Sequence, residues 1–315
     1  MSGFAYSVQD GAARELALAD ALRANGDLVW IHLTDSDEDA RRWLTGEARL
    51  PDYATDALTA AETRPRCDAM QDGAFVNLRG LSSEATTSEP LASVRLYATA
   101  GRVYSVTRRP LCALDMVKRT VAAGRVHDPG DLIAEFATAI TEGLDPVVAN
   151  LGDSLDECET KLDAGHAFEL RRDVTHARTE AIGYRRFLFP QRAALDKLAA
   201  LPGDWLRDDD RQHLASAADR AARMAEEVEA IRERAAVMHE TLTDLRAELL
   251  DQRSLTIAIA AMIFLPLTFL TGLLGMNVEG IPFAHEPWAF WGVVGLCLVL
   301  GGLVALYFTW KHWTR

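Results

Sequence analysis

The stretch that most constrains this chain runs from Ser254 to Asn277, SLTIAIAAMIFLPLTFLTGLLGMN, in which Leu255 to Leu274 carry no charge. At about 1.5 Å rise per residue, a run of this length spans a hydrocarbon core of roughly 30 Å. Pro266 sits in its middle. In a soluble helix that proline would remove a hydrogen bond at a cost of about 3 kcal/mol. A membrane helix tolerates it when neighbouring helices re-satisfy the freed carbonyl. The segment closes on Gly275-Met276-Asn277, a polar step opened by glycine.

A second uncharged run, Trp288 to Trp310, carries Trp288, Trp291, Tyr307 and Trp310 near its ends, as an interfacial belt would. The short connection between the runs predicts an antiparallel helical hairpin. Arg246 and Arg253 precede the first run, Lys311 and Arg315 follow the second, and the connection has neither Lys nor Arg. By the positive-inside rule both ends face the cytoplasm and the loop faces outside.

Upstream, Leu214, Ala217, Ala221, Met224, Val228, Ile231, Ala235, Met238, Leu242, Leu245 and Leu249 alternate three and four apart. That is a heptad seam with no Gly or Pro before Pro266, so one helix is expected to run from the seam into the apolar segment. Coiled-coil packing of two or more strands is implied.

The first hundred residues read as mixed α/β. Asp27 to Leu33 is a buried strand, followed by a helix capped by Asp35 or Ser36, and Pro51 to Glu62 is another helix. Hairpin patterns cover Arg66 to Gly80, turning at Asp72-Gly73, and Val94 to Arg109, turning at Gly101. Ser82 to Pro90 reads as a polar loop between them, and Leu111 to Ala123 as a helix. A sheet of four or more strands with flanking helices follows. Beyond Pro129 the pattern is helical, with Pro190 expected to break or kink it. The expected partition is 1–128 α/β domain, 129–203 helical part, 204–250 stalk helix, 251–277 first membrane helix, 278–287 external loop, 288–310 second membrane helix and 311–315 basic tail.

The formal net charge is −13, yet from Ser254 to Trp310 the acids are Glu279 and Glu286 alone, so the acidity belongs to the polar part. This balance excludes a nucleic-acid binder, which needs clustered Lys and Arg. Cys67, Cys112, Cys158 and Cys297 are scattered without a CxxC, so neither a disulfide framework nor a thiolate zinc site is expected. The first twenty residues lack a basic n-region and an apolar core, unlike a signal peptide. No phosphate-binding glycine loop or nucleophile–base pattern appears, and no enzyme is expected.

One stripe of the first apolar helix carries Asp251, Ser254, Ala258, Ala261, Leu265, Thr268, Gly272 and Gly275. Small residues at this spacing serve close helix packing, or they line a pore wide enough for a hydrated ion. Continued upstream in the same phase, the line becomes Asp244, Glu240, Glu233 and Glu226. In an assembly about an axis these would stack as acidic rings that concentrate cations; in isolation they form a solvated coiled-coil face. At the far end, the Asn277 amide oxygen suits the hydration water of a divalent cation, with Gly275 and Met276 beside it, and Glu279, Glu286 and His285 in the loop. The eight histidines form no HxxxH pair.

These residues resemble the CorA superfamily of two-helix divalent cation transporters, in which GMN closes the first membrane helix, and within it the ZntB-type zinc transporters. The matching stretches are ETRPRCDAM, FVNLRGL, SVRLYATAGRVYSVTRRPL, RRFLFPQRAAL and FLPLTFLTGLLGMN with Gly280-Ile281-Pro282. The resemblance implies an α+β membrane protein: a cytoplasmic α/β/α domain, a stalk helix continuous with the first membrane helix, and a homopentameric funnel in the lipid bilayer. It implies a pore lined by Asn277, Thr268, Leu265 and the Asp251 to Ser254 entrance, with Zn²⁺ as substrate and no permanently bound cofactor. Glu279 and Phe283 stand where ZntB-type loops commonly carry glycine, and Glu279 is more like the CorA branch. A Mg²⁺/Co²⁺ channel gated by intracellular metal therefore stays open, as does a membrane-anchored coiled-coil scaffold without a pore.

Overall fold

The computed structural model describes residues 2–34, 38–61, 64–86, 89–163, 166–203, 205–276, 281 and 286–313. It divides into two compact units, Met1–Lys161 with Leu170–His239, and Leu162–Glu169 with Glu240–Arg315.

The first unit opens with a hairpin that the sequence reading passed over, β1 (Ser2–Gln9) and β2 (Ala12–Leu16). Its turn is Asp10-Gly11, with φ of 52° and 76°. Two consecutive positive φ values give the two-residue turn whose twist matches the flanking strands, and Asp and Gly are the residues that accept it. The Asp10 amide donates to Asp27 Oδ2 at 2.9 Å, which ties the turn to the following segment. β2 is an edge strand with no fully buried residue, so its alternation carries little hydrophobic contrast in the sequence.

After α1 (Leu18–Ala21) come β3 (Leu28–Thr34), α2 (Glu38–Gly46) and α3 (Asp52–Thr59), the last with Pro51 at its N-cap. Asp35 and Ser36, expected to cap α2, lie outside the described residues. Then follow β4 (Arg66–Met70), β5 (Gly73–Thr86), β6 (Glu89–Thr99) and β7 (Arg102–Thr107). The described sheet has seven strands in the order β2-β1-β3-β7-β6-β5-β4. It is mixed: β3 and β7 pair in parallel, every other neighbour antiparallel.

Two turn readings are refined. The segment from Ser82 to Pro90 is not a free loop, since β5 and β6 stay paired as far as Thr86 opposite Glu89, with an irregularity after Leu81. Its polar side chains misled because a ladder held by backbone bonds needs no apolar residues. The hairpin at Asp72-Gly73 turns one residue earlier, and Gly73 already pairs with Met70 and Thr99. Glycine is required there by close approach: a Cβ would stand 1.8 Å from the Ala98 carbonyl oxygen. Gly101, with φ +73°, makes the β6–β7 turn as expected.

The alternation of β3 sends its two sides into two cores. Val29, Ile31 and Leu33 pack with Trp43, Leu44 and Leu58 of α2 and α3. Trp30 points the other way and meets Phe136 edge-on at 5.7 Å. Phe136 belongs to α5 (Pro129–Thr160), which follows α4 (Cys112–Ala122). The sheet is thus covered on both faces, an α/β/α arrangement. His32 shares the Trp30 side, where Nδ1 is 2.8 Å from Ser105 Oγ and Nε2 is 3.3 Å from Thr107 Oγ1. Trp30 Nε1 donates to the same Ser105 oxygen at 2.7 Å.

Helix α6 (Ala167–Ala199) runs through Pro190 without ending, so of the expected break or kink the break does not occur. Tertiary anchors on both sides of the proline offset its lost hydrogen bond. Gln191 accepts the Arg79 amide at 2.8 Å, and the Arg79 guanidinium lies 3.9 Å over the Phe187 ring. Helix α7 (Asp208–Leu274) is the continuous helix anticipated from the seam, and α8 (Ala289–Trp313) is the last element.

Burial, with the Lys118 ammonium second, pushes the His32 imidazole down to about 3. The unfolded chain takes up a proton near 6.5 while the folded chain resists it to about 3, so stability falls as pH drops through that window. Hydrogen exchange of the β3 amides is expected to quicken from pH 6.5 to 4 after correction for intrinsic rates, with a slope approaching about 1.4 kcal/mol per pH unit. In His32→Gln that component of the slope is expected to vanish.

Candidate functional site

The seam of α7 is buried throughout its first unit: Leu214, Ala217, Ala221, Met224, Val228, Ile231, Ala235 and Met238 all lie in the core. Charged contacts flank it. Arg220 reaches Glu142 at 3.1 Å, and Arg234 holds both Asp156 and Glu159 of α5 at 2.5 Å. Arg185 of α6 pairs with Glu229. The partners of the heptad seam are therefore α5 and α6 of the same chain. On the opposite, solvent side of α7 stand Glu226 and Glu233, both exposed, with Glu233 3.7 Å from Arg232.

In the second unit, α7 and α8 hold the two spans long and apolar enough to cross a membrane, both with a mean hydropathy of 2.3 and no buried share. Their mutual seam is narrow. On α7 the half-buried residues are Ile259, Ile263, Leu267, Leu270 and Leu274, and on α8 they include Val293, Cys297, Leu300, Gly301 and Val304. A Cβ on Gly301 would touch Ile263 at 3.9 Å and Leu267 at 4.0 Å, so glycine brings the two helices close without being obligatory.

The stripe predicted from sequence lies elsewhere. At about 100° per residue, Ser254, Ala258, Ala261, Leu265, Thr268 and Gly272 centre on the side of α7 opposite the α8 seam. All are exposed, Leu265 at 71 %. A Cβ added to Gly272 would meet nothing within 4 Å. Packing against α8 is thus not what the small residues serve within this chain.

The helix continues through Pro266, and two threonine hydroxyls beyond it fold back onto the preceding turn. The Thr268 hydroxyl donates to the Phe264 carbonyl at 2.7 Å, and the Thr271 hydroxyl donates to Leu267 at 2.9 Å. Gly275 closes the helix with its amide on the Thr271 carbonyl at 2.9 Å, and Met276 follows, half exposed at 48 %. Asn277, Glu279 and His285 lie outside the described residues. Glu286 is exposed and accepts the Ala289 amide through its backbone carbonyl at 3.0 Å, just ahead of α8.

At the polar end of the same unit, Glu240, Asp244 and Asp251 are exposed. Asp244, Glu248, Asp251, Gln252 and Thr256 line an open depression of about 820 Å³. Glu248, Gln252 and Thr256 were not singled out from sequence. Their signal was the i, i+4 spacing on α7: Gln252 Nε2 donates to Glu248 at 3.4 Å and the Thr256 hydroxyl to the Gln252 carbonyl at 3.0 Å. The structure therefore aligns Ser254 to Gly272 on one uncovered face, with carboxylates at its polar end.

Residues 25–312 match the family model described as CorA-like Mg²⁺ transporter protein. The chain is 31% identical over 321 residues to a protein named divalent cation transporter CmaX from Pseudomonas aeruginosa, covering 99% of this chain and 95% of that one. It is 29% identical over 286 residues to a protein named zinc transport protein ZntB from Pectobacterium carotovorum, covering 90% and 87%. The solved structure of full-length CmaX superposes with a TM-score of 0.76 at 30% identity, covering 98% of this chain and 97% of that one.

Single cysteines introduced into a cysteine-free background report which face of α7 meets water. At positions 258, 261, 265 and 268, a membrane-impermeant thiol reagent is expected to react about tenfold or more faster than at 259, 263 and 267, the contrast between wet and lipid- or protein-packed sites. Equal rates on the two faces would leave helix packing, not a pore lining, as the role of the stripe.

Proposed function

This chain belongs to the family of CorA-like Mg²⁺ transporter proteins, and from that premise we propose that it carries divalent cations, Zn²⁺ foremost, across an inner membrane. The single observation that carries the reading is the position of the stripe from Ser254 to Gly272, uncovered and opposite the α8 seam. A helix whose small face turns away from its neighbour α8 has that face, among the described residues, available to copies of itself. Five copies about an axis, as the resemblance implies, would put the stripe inside and α8 outside against lipid. Both termini would be cytoplasmic.

The route then follows from side-chain chemistry. Asn277 carbonyl oxygens receive the ion with its hydration water, without the cost of stripping it. Thr268 and the small residues leave room for that hydrated ion. Leu265 forms an apolar constriction that closes by dewetting. Asp251, Asp244, Glu240, Glu233 and Glu226 supply the negative potential that holds cations at the cytoplasmic end. Glu279, Glu286 and His285 stand at the outer loop. Zn²⁺ is favoured by the named zinc transporter among the relatives and by the ZntB-like stretches. A Mg²⁺ or Co²⁺ channel is the second reading, favoured by Glu279 and by the name of the family.

Metal uptake into proteoliposomes separates these readings, with a pH gradient on or off. Zn²⁺ uptake is expected, and Asn277→Ala is expected to lower it about tenfold or more, a loss of about 1.4 kcal/mol. Mg²⁺ uptake suppressed by metal on the cytoplasmic side would select the second reading. No uptake of either ion by an intact oligomer would leave a membrane-anchored scaffold.

A further inference from the structure

Away from the stripe, three carboxylates meet where α5 and α7 begin. Asp128 is the N-cap of α5, Asp131 lies in its first turn, and Asp210 lies in the first turn of α7. One oxygen from each falls within 4.8 Å of the others. Asp210 is 0% exposed and Asp128 7%.

Part of this arrangement is helix capping. Asp128 Oδ1 accepts the Asp131 amide at 3.0 Å, Asp131 Oδ2 accepts the His127 amide at 2.9 Å, and Asp210 Oδ2 accepts the Arg207 amide at 2.8 Å. Capping leaves a remainder. Asp210 Oδ1 is buried and receives no donor, although it belongs to a fully buried side chain. An unsatisfied buried carboxylate oxygen costs more than a lost neutral hydrogen bond. The chain has also made room for this group: a Cβ on Gly130 would stand 2.1 Å from Asp210 Oδ2. Arg207 Nε reaches Asp128 Oδ2 at 2.9 Å, and its side chain is 62% exposed.

We propose that Asp128, Asp131 and Asp210 bind one hard divalent cation of the Mg²⁺, Mn²⁺ or Ca²⁺ class within a single chain. Oxygens within 4.8 Å of one another need draw together only slightly to hold an ion at roughly 2.1–2.4 Å from each. The donor set is all carboxylate, which suits hard ions and lacks the nitrogen and sulfur ligands that a closed zinc site prefers. A divalent ion with Arg207 balances three carboxylates and satisfies the orphaned oxygen. The bound ion clips the start of α5 to the start of α7. The site is separate from the stripe and stands whether or not the transport reading does.

The test is Mn²⁺ binding to the full chain in detergent, stripped with EDTA and titrated while the spin-resonance signal of free Mn²⁺ is followed. Asp210→Asn and Asp131→Asn are each expected to bind about one Mn²⁺ fewer per chain, while Asn277→Ala keeps that ion. If both aspartate variants, folded by circular dichroism and unchanged in size, bind as many Mn²⁺ with the same affinity as the parent, the cluster serves capping alone. Should Asp210→Asn not fold, the half-buried Asp131→Asn decides alone.

Discussion

Everything in this chain depends on how α7 disposes of its faces. A helix has one seam to hide per neighbour, and α7 has different neighbours along its length. From Leu214 to Met238 the hidden seam is closed by α5 and α6, with Arg220, Arg185 and Arg234 in ion pairs along its edges. From Ile259 to Leu274 the half-buried seam faces α8 among the described residues. One neighbour covers only a narrow strip of a helix. The rest of the apolar surface, Phe264, Leu265 and Phe269 among it, is left for lipid or for other copies. A water-soluble monomer would not tolerate such a surface.

The sheet answers a different demand. Burying a strand on both sides requires a continuous apolar run, which Leu28 to Leu33 supplies, interrupted only by His32. That histidine is admitted because the parallel register of β3 and β7 puts Ser105 opposite it and Thr107 two residues further along the same face. Neutral hydroxyls satisfy the imidazole without asking it to carry charge.

Much of this was legible in the residues. The two uncharged runs, the heptad seam, the hairpin with Gly101 and the FLPLTFLTGLLGMN stretch led to the fold and family, and the small stripe could be listed before its direction was known. Its direction could not be read, because sequence spacing gives the angle between faces and not which face α8 takes. The β1–β2 hairpin was missed since an edge strand shows no contrast, and the continuation of α6 through Pro190 depends on Gln191 and Phe187 meeting Arg79 from a distant strand. Asp128 and Asp210 are far apart in sequence and meet only because two helix starts converge. Spacing rules for metal ligands look within a few residues and pass over such a pair.

The threonines on α7 have one more implication. A hydroxyl has one hydrogen, and Thr268 spends it on the Phe264 carbonyl. What remains outward is oxygen lone pairs and no donor. The backbone carbonyls are already engaged in the helix, and the alanines and Gly272 add nothing polar. If the stripe lines a pore as proposed, a solute passing the Thr268 level would find electron density offered and no hydrogen to grip. An anion such as chloride has no partner there, whereas a water molecule turned by a cation, hydrogens pointing away from the metal, does. On that proposed reading the Thr268 level would sort by sign, through the orientation of the solvent that the solute carries with it.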